Sequence, residues 1–181
     1  KFGFYDIIVS LKSSDVMNTI EANRMFSEKS DYPIHLGVTE AGTKFSGSIK
    51  SAVCFGTLLQ EGIGDTIRVS LSGSPIEEIR TGIEILKSIK LREYFDIISC
   101  PTCARARFDV NNIAEQLESM NIKKHIKIAI MGCTVNGPGE AKKSDIGIVG
   151  GDGSHIFYKN GKILKRIKEN EIIDMLKKEL D

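Results

Sequence analysis

Two rhythms alternate along the first ninety residues. Short β-branched runs in which apolar and polar positions take turns are followed by longer segments whose apolar positions recur every three or four, which predicts βα units around a parallel sheet. "YDIIVSLKSSD" reads as a strand and "DVMNTIEANRMFSEK" as a helix that Asp15 can cap. "PIHLGVTEAG" is a second strand, followed by the helix "SIKSAVCFGTLLQEG". "DTIRVSLSG" is a third, followed by "PIEEIRTGIEILKSIKL" with Pro75 in the first turn, where proline is tolerated. In the third strand Ile67, Val69 and Leu71 share one face, and Arg68, Ser70 and Ser72 the other. Ser10 and Lys12 likewise stand opposite Ile7, Val9 and Leu11. Glu40 shares the parity of Leu36 and Val38, which places it just past its strand, where parity lapses.

Lys12, Glu40 and Arg68 are evenly spaced at 28 residues. Even spacing suggests equivalent positions in a βα barrel, whose strand ends supply the active site. After about residue 92 the rhythm changes. "FDIISC" and "HIKIAIMGC" are predicted strands ending in cysteine, with the helix "VNNIAEQLESMNI" between them. "SDIGIVGGDG" adds a strand, and "HIFYKNGKILKRI" a hairpin turning at Asn160-Gly161. "ENEIIDMLKKEL" closes the chain as an amphipathic helix. The predicted class is α/β, with residues 1–91 forming part of a βα barrel and residues 92–181 a small α+β domain that carries cysteines on loops after its strands.

Composition changes this picture little. A net charge of +1 over 181 residues gives no overall pull toward nucleic acid or an anionic membrane. No apolar run approaches the roughly 18 residues of a membrane span, and Lys1-Phe2-Gly3-Phe4 is no secretory signal, so a cytoplasmic protein is expected. The chain lacks an initiating methionine and enters its first strand at once, so a fragment of something longer is expected. Without an export signal the four cysteines do not read as a disulfide framework.

Cys100 and Cys103 form a Cys-x-x-Cys pair, Cys133 follows thirty residues on, and Cys54 sits among apolar helix positions as a small core residue. Such a pair can clamp a zinc ion, hold two corners of an iron-sulfur cluster, or act as a redox dithiol. Zinc usually takes four cysteine or histidine ligands, and His35, His125 and His155 stand in no zinc spacing. A thioredoxin-like pair would leave "MGCTVNGPGE" unexplained. That stretch folds backbone-rich turns between Cys133 and Glu140, and three thiolates with one carboxylate would give a cluster with one distinct, easily exchanged corner. Glu140 as a solvated charge remains the plain alternative. The Gly150-Gly151-Asp152-Gly153 run lacks the residues of a phosphate loop and precedes a hairpin, so it reads as a turn.

"SLKSSD", "GVTEAG", "RVSLSG", "SCPTCAR", "MGCTVNGPGE" and "SDIGIVGG", in that order, resemble the (E)-4-hydroxy-3-methylbut-2-enyl diphosphate synthase family of isoprenoid biosynthesis. The resemblance covers nearly the whole chain and corresponds to the family's C-terminal portion: the last three βα units of a TIM-type barrel and an iron-sulfur domain. It implies a 4Fe-4S cluster on Cys100, Cys103, Cys133 and Glu140, the carboxylate being the replaceable ligand. It further implies reductive ring opening of 2-C-methyl-D-erythritol 2,4-cyclodiphosphate, with flavodoxin or ferredoxin as donor. Lys12, Arg68 and Ser70 would contact the diphosphate, Glu40 would manage protons, and Asn136 would bind substrate or shape its turn. Arg105 would offset the cluster's charge or be a surface residue. A homodimer is implied as well. Five earlier βα units of the family are missing here.

Overall fold

The structure, a computed structural model, describes residues 3–92, 95–120, 122 and 124–180. Lys1 and Phe2, considered above as a leader, and Asn121 at the predicted end of the fourth helix lie outside the described residues. The chain divides into two compact units, Lys1–Arg92 and Glu93–Asp181.

In the first unit the helices α1 (Val16–Ser27), α2 (Lys44–Gln60) and α3 (Pro75–Ser88) alternate with strands β1 (His35–Gly37) and β2 (Thr66–Arg68). Asn18 N–H donates to the Asp15 carboxylate at 2.8 Å and Ile76 N–H to Ser74 Oγ at 3.3 Å, so both helices start on a side chain that satisfies an otherwise orphaned amide. β1 and β2 pair in parallel, with Leu36 opposite Ile67 and Gly37 opposite Arg68. Leu36, Val38, Val69 and Leu71 are buried against Ile20, Phe55 and Leu58 from the helices. The opposite strand face carries His35, Gly37, Thr66 and Arg68.

The first predicted strand is reduced to a single parallel bridge between Val9 and Ile34. Among the described residues that segment has a partner on one side only, and Ile7 and Ile8 remain 43% and 52% exposed. A ladder with one edge and no covered face leaves its backbone groups to water. β1 and β2 are three residues each, shorter than the runs that predict them, although the parallel course resumes at a bridge between Thr43 and Ser72.

The second unit holds a five-stranded sheet in the order β3 (Phe95–Ser99), β4 (Ile126–Met131), β5 (Ile146–Val149), β6 (His155–Lys159), β7 (Lys162–Ile167). β3, β4 and β5 run parallel, whereas β6 and β7 add on antiparallel. α4 (Val110–Ser119) and α6 (Ile172–Leu180) cover one face, burying Ile128, Ile130, Ile148 and Phe157 with Leu117 and Leu176. The other face buries Ala129, Met131, Val149 and Tyr158 under Ala141 of the short helix α5 (Gly137–Ala141). Asn160 (φ 49°) and Gly161 (φ 74°) both take left-handed conformations, as a two-residue hairpin turn between twisted strands requires. Among the described residues no helix is long and apolar enough to cross a membrane.

One segment departs from its reading. "TVNGPGE", read as a turn, is largely helical: Pro138 occupies the first turn of α5, where its missing N–H costs nothing. Its glycine serves close packing. A Cβ on Gly137 would lie 2.5 Å from Val149 Cγ1, and one on Gly147 of β5 would lie 2.5 Å from Ala141 Cβ. Bare backbone at both positions lets helix and strand meet.

Candidate functional site

Because β3 and β4 are parallel neighbours, their carboxyl ends open onto the same edge of the sheet. Cys100 follows β3 directly, and Cys133 lies two residues beyond β4 rather than at its end. The loops are tied together. Cys100 N–H donates to the Ile130 carbonyl (3.2 Å), Arg107 N–H to the Gly132 carbonyl (2.8 Å), and Gly132 N–H to Cys100 Sγ at 3.1 Å. The Cys133 thiol is held below its ordinary range, first by the Val135 N–H and then by the Asn136 N–H and the Arg105 guanidinium, against partial burial. Amides and a cation aimed at sulfur favour thiolate, the form that binds soft metals and iron-sulfur clusters. Arg105 is exposed, and its guanidinium reaches the Cys133 sulfur.

Cys103 is exposed on the loop, and Glu140 is half-buried on α5, the connection from β4 to β5. Among the described residues no three His, Cys, Asp or Glu side chains gather as a closed metal cage, and the cysteines are free thiols. The Cys-x-x-Cys pair does not open a helix, since α4 starts only at Val110, which removes the geometry of a thioredoxin-like dithiol. Asn136 is the N-cap of α5 without capping through its side chain. Cys54 is fully buried in α2, and burial pushes its thiol up to about 11, the behaviour of a core residue.

In the first unit Lys12 and Arg68 come together across Gly37. A Cβ on Gly37 would stand 2.8 Å from Lys12 Cε and 3.1 Å from its Nζ, with the Arg68 carbonyl at 3.3 Å. Burial and the Arg68 charge hold the Lys12 ammonium below its ordinary value. His35, whose Nδ1 meets Thr66 Oγ1 at 2.7 Å, is lowered by burial, by Lys12 and by Arg68. Neither Lys12 nor Arg68 has an ion pair among the described residues. Two cations and an imidazole with no ion pair among the described residues form an electropositive face.

Glu40 is exposed three residues past β1 in a left-handed turn (φ 51°), and no ion pair joins it to Lys12 among the described residues. The even spacing thus does not mark equivalent strand positions. Gly37, not Glu40, stands beside Arg68. Ser70 follows β2 on the parity of Arg68 and is half-buried. His35 was missed as a site residue, although its parity with Gly37 on a strand whose other face carries Leu36 was a usable signal.

A cleft of about 470 Å³ lies elsewhere in the second unit, between the Gly151-Asp152-Gly153 turn, Arg107 and Lys168-Glu169-Asn170. It contains none of the candidate site residues. Asp152 pairs with Arg107 at 3.0 Å, and the turn leads into β6 as its glycines suggest.

Two family models match the chain in tandem, the GcpE TIM-barrel domain over residues 1–83 and the GcpE protein C-terminal domain over residues 96–181. The chain belongs to the GcpE family. Curated GcpE relatives carry the name 4-hydroxy-3-methylbut-2-en-1-yl diphosphate synthase (flavodoxin). Those of Caldanaerobacter subterraneus subsp. tengcongensis and Clostridium perfringens are 55% and 54% identical to the chain over 184 and 176 residues. That of Geobacter sulfurreducens is 47% identical over 184 residues. These matches take in 100%, 96% and 100% of the chain but 52%, 50% and 52% of the relatives, so the chain spans about half the length of the GcpE proteins it matches.

Proposed function

We propose that the chain is the C-terminal half of a GcpE enzyme that reductively opens 2-C-methyl-D-erythritol 2,4-cyclodiphosphate. Two electrons and two protons enter, a ring C–O bond breaks, water leaves, and (E)-4-hydroxy-3-methylbut-2-enyl diphosphate results. The observation that carries this reading is the sulfur edge, where backbone amides and Arg105 point at Cys133 and the Gly132 amide at Cys100. Those donors suit a 4Fe-4S cluster on Cys100, Cys103, Cys133 and Glu140, because N–H groups offset the negative charge of cluster sulfur. When bound, the cluster supplies a path for electrons and a Lewis-acidic corner.

The remaining work belongs to protein side chains. Lys12 and Arg68 offset the diphosphate charge, with Ser70 adding a hydroxyl, and their lack of anionic partners in the first unit supports that role. Glu40 holds or moves a proton at the reacting carbons. Asn136, whose side chain makes no capping hydrogen bond, orients substrate at the cluster loop. The first unit is the end of a TIM-type barrel, with residues 1–91 and 92–181 as the two domains. The intact enzyme is a cytoplasmic homodimer reduced by flavodoxin, the donor in its relatives' names, or by ferredoxin.

Anaerobic reconstitution of the chain with labelled iron tests the reading by Mössbauer spectroscopy with iron and sulfide analysis. Four irons with one distinct site are expected. Stoichiometric zinc, or no metal, overturns the cluster and with it the proposed chemistry.

A further inference from the structure

Cations are unevenly distributed in the second unit. Between Lys142 and Lys168 there are seven Lys and Arg against two Asp, although the whole chain carries 25 against 24 acids. Most of these cations lie on or beside β7, which forms one edge of the five-stranded sheet. Of those on β7 none has an ion pair among the described residues; Arg166 reaches only Ser154 Oγ, at 3.4 Å. Lysines on an edge strand commonly serve to discourage strand-to-strand aggregation. That purpose does not call for large apolar side chains beside them, yet Ile163 is 63% exposed.

The register shows what lies beneath. Ile163 stands opposite Tyr158 and Arg166 opposite Ile156, so both β7 residues share the face of Tyr158 and Ile156. Tyr158 belongs to the buried cluster of Ala129, Met131, Ala141 and Val149, against which Ile156 and Cys100 also pack. The hairpin turn also abuts the end of α5: a Cβ on Gly161 would stand 2.8 Å from the Lys142 carbonyl. Lys142 and Lys143, both exposed, therefore leave the Glu140 helix beside the hairpin. An apolar spot rimmed by cations thus overlies packed side chains that continue to a candidate cluster ligand.

We propose that this edge, with Ile163 at its centre and Arg166, Lys142 and Lys143 around it, docks an acidic electron-transfer protein. Charge complementarity steers such a partner from a distance, and the apolar centre fixes it once water leaves. Electron tunnelling falls steeply with distance, and Lys142 and Lys143 follow the candidate cluster ligand Glu140 by only two and three residues, which favours a redox partner over any other polyanion. The inference rests on the reading that the intact protein receives its electrons from a separate protein.

The test uses full-length holoenzyme carrying Arg166→Glu with Lys142→Glu, and separately Ile163→Ser. Lys177→Glu with Lys178→Glu on α6, which covers the other sheet face, is the matched charge control. Binding of flavodoxin by calorimetry and turnover with reduced flavodoxin or with dithionite are compared. The expected result is that Kd and KM for flavodoxin rise at least about tenfold in the edge variants, a loss of about 1.4 kcal/mol, while their dependence on salt flattens. Dithionite-driven turnover and the Lys177→Glu, Lys178→Glu control stay as in the parent protein.

Unchanged flavodoxin binding overturns the docking surface. So does equal loss with both reductants, which would mean damage to the site. Altered oligomeric state in the edge variants would assign the surface to a second copy. Protection of β7 from hydrogen exchange in the free full-length protein would assign it to the remainder of its own chain; both results reject the proposal. Absence of cyclic diphosphate turnover in the parent protein with dithionite would instead refute the proposed function, leaving the binding measurement to decide the docking surface.

Discussion

Gly37 lies between Lys12 and Arg68, and a methyl group there would press first on the lysine Cε, at 2.8 Å. The far end of a lysine moves cheaply, so Gly37→Ala is expected to cost less than about 1 kcal/mol of stability. It would nevertheless displace the ammonium from its place. Calorimetry on the full-length protein should show the affinity for the cyclic diphosphate falling about tenfold, or about 1.4 kcal/mol, and an unchanged affinity would remove Lys12 from the site. His35 offers a second readout. Burial, Lys12 and Arg68 hold its imidazole below the ordinary value, and an anion placed against both cations reverses the electrostatic part. Binding should therefore take up protons, and affinity should rise as pH falls through the free His35 range below about 6.5. Calorimetry in buffers of different ionisation enthalpy measures that uptake; none detected would place the anion elsewhere.

The helix α5 depends on two glycines that look alike in sequence and differ in surroundings. A Cβ on Gly137 meets Val149 at 2.5 Å, whereas one on Gly139 meets nothing within 4 Å. Gly137→Ala should lift the helix from β5 at a cost of about 1–3 kcal/mol and carry Glu140 out of position, lowering iron retained after reconstitution. Gly139→Ala should be neutral or stabilising by up to about 1 kcal/mol. Melting curves with iron analysis separate the two, and equal behaviour would contradict the close approach. This contrast also marks where sequence reading fails. The helices α1 and α3 and the hairpin at Asn160-Gly161 followed from local chemistry (caps, proline in a first turn, paired left-handed residues), and α2 and the placement of Cys100 from the spacing of apolar positions. α5 did not, because Asn-Gly-Pro-Gly favours turns locally and becomes helical where a neighbouring strand accepts bare backbone. The strand at Val9 was overread because alternation reports a preference for pairing, while a partner on each side is a property of the assembled sheet. His35 and Gly37 went unrecognised because strand parity, though it puts both on one face, does not show that the parallel register sets Arg68 beside them.

For the molecule as a whole, pH acts on the second unit through His155. Its ring packs edge-on against Phe108 with centroids 4.9 Å apart, and its Nδ1 is buried without a hydrogen-bond partner. Burial holds the imidazole below its ordinary value, with Glu169 opposing. As pH drops below about 6.5 the unfolded chain takes up a proton before the folded one does, so stability falls with pH across that interval. Thermal melts between pH 7 and 5 should show this slope, to which His35 of the first unit adds in the same sense, and His155→Leu should reduce it; an unreduced slope would place the linkage on other groups.

The register of the sheet also orders events in time. The β6–β7 hairpin joins neighbours across a two-residue turn, and such units close in roughly 1–10 μs. Phe95 must find Ile126, 31 residues away, before β3 and β4 can bring their loops to one edge. Pairing of that range is slow, because the closure entropy is lost before any contact repays it. When the completed chain refolds, the cation-rich hairpin is thus an early arrival and the sulfur edge a late one. Iron and sulfide would meet a finished sheet rather than an unfolded chain, and until then the thiols stand open to oxidation.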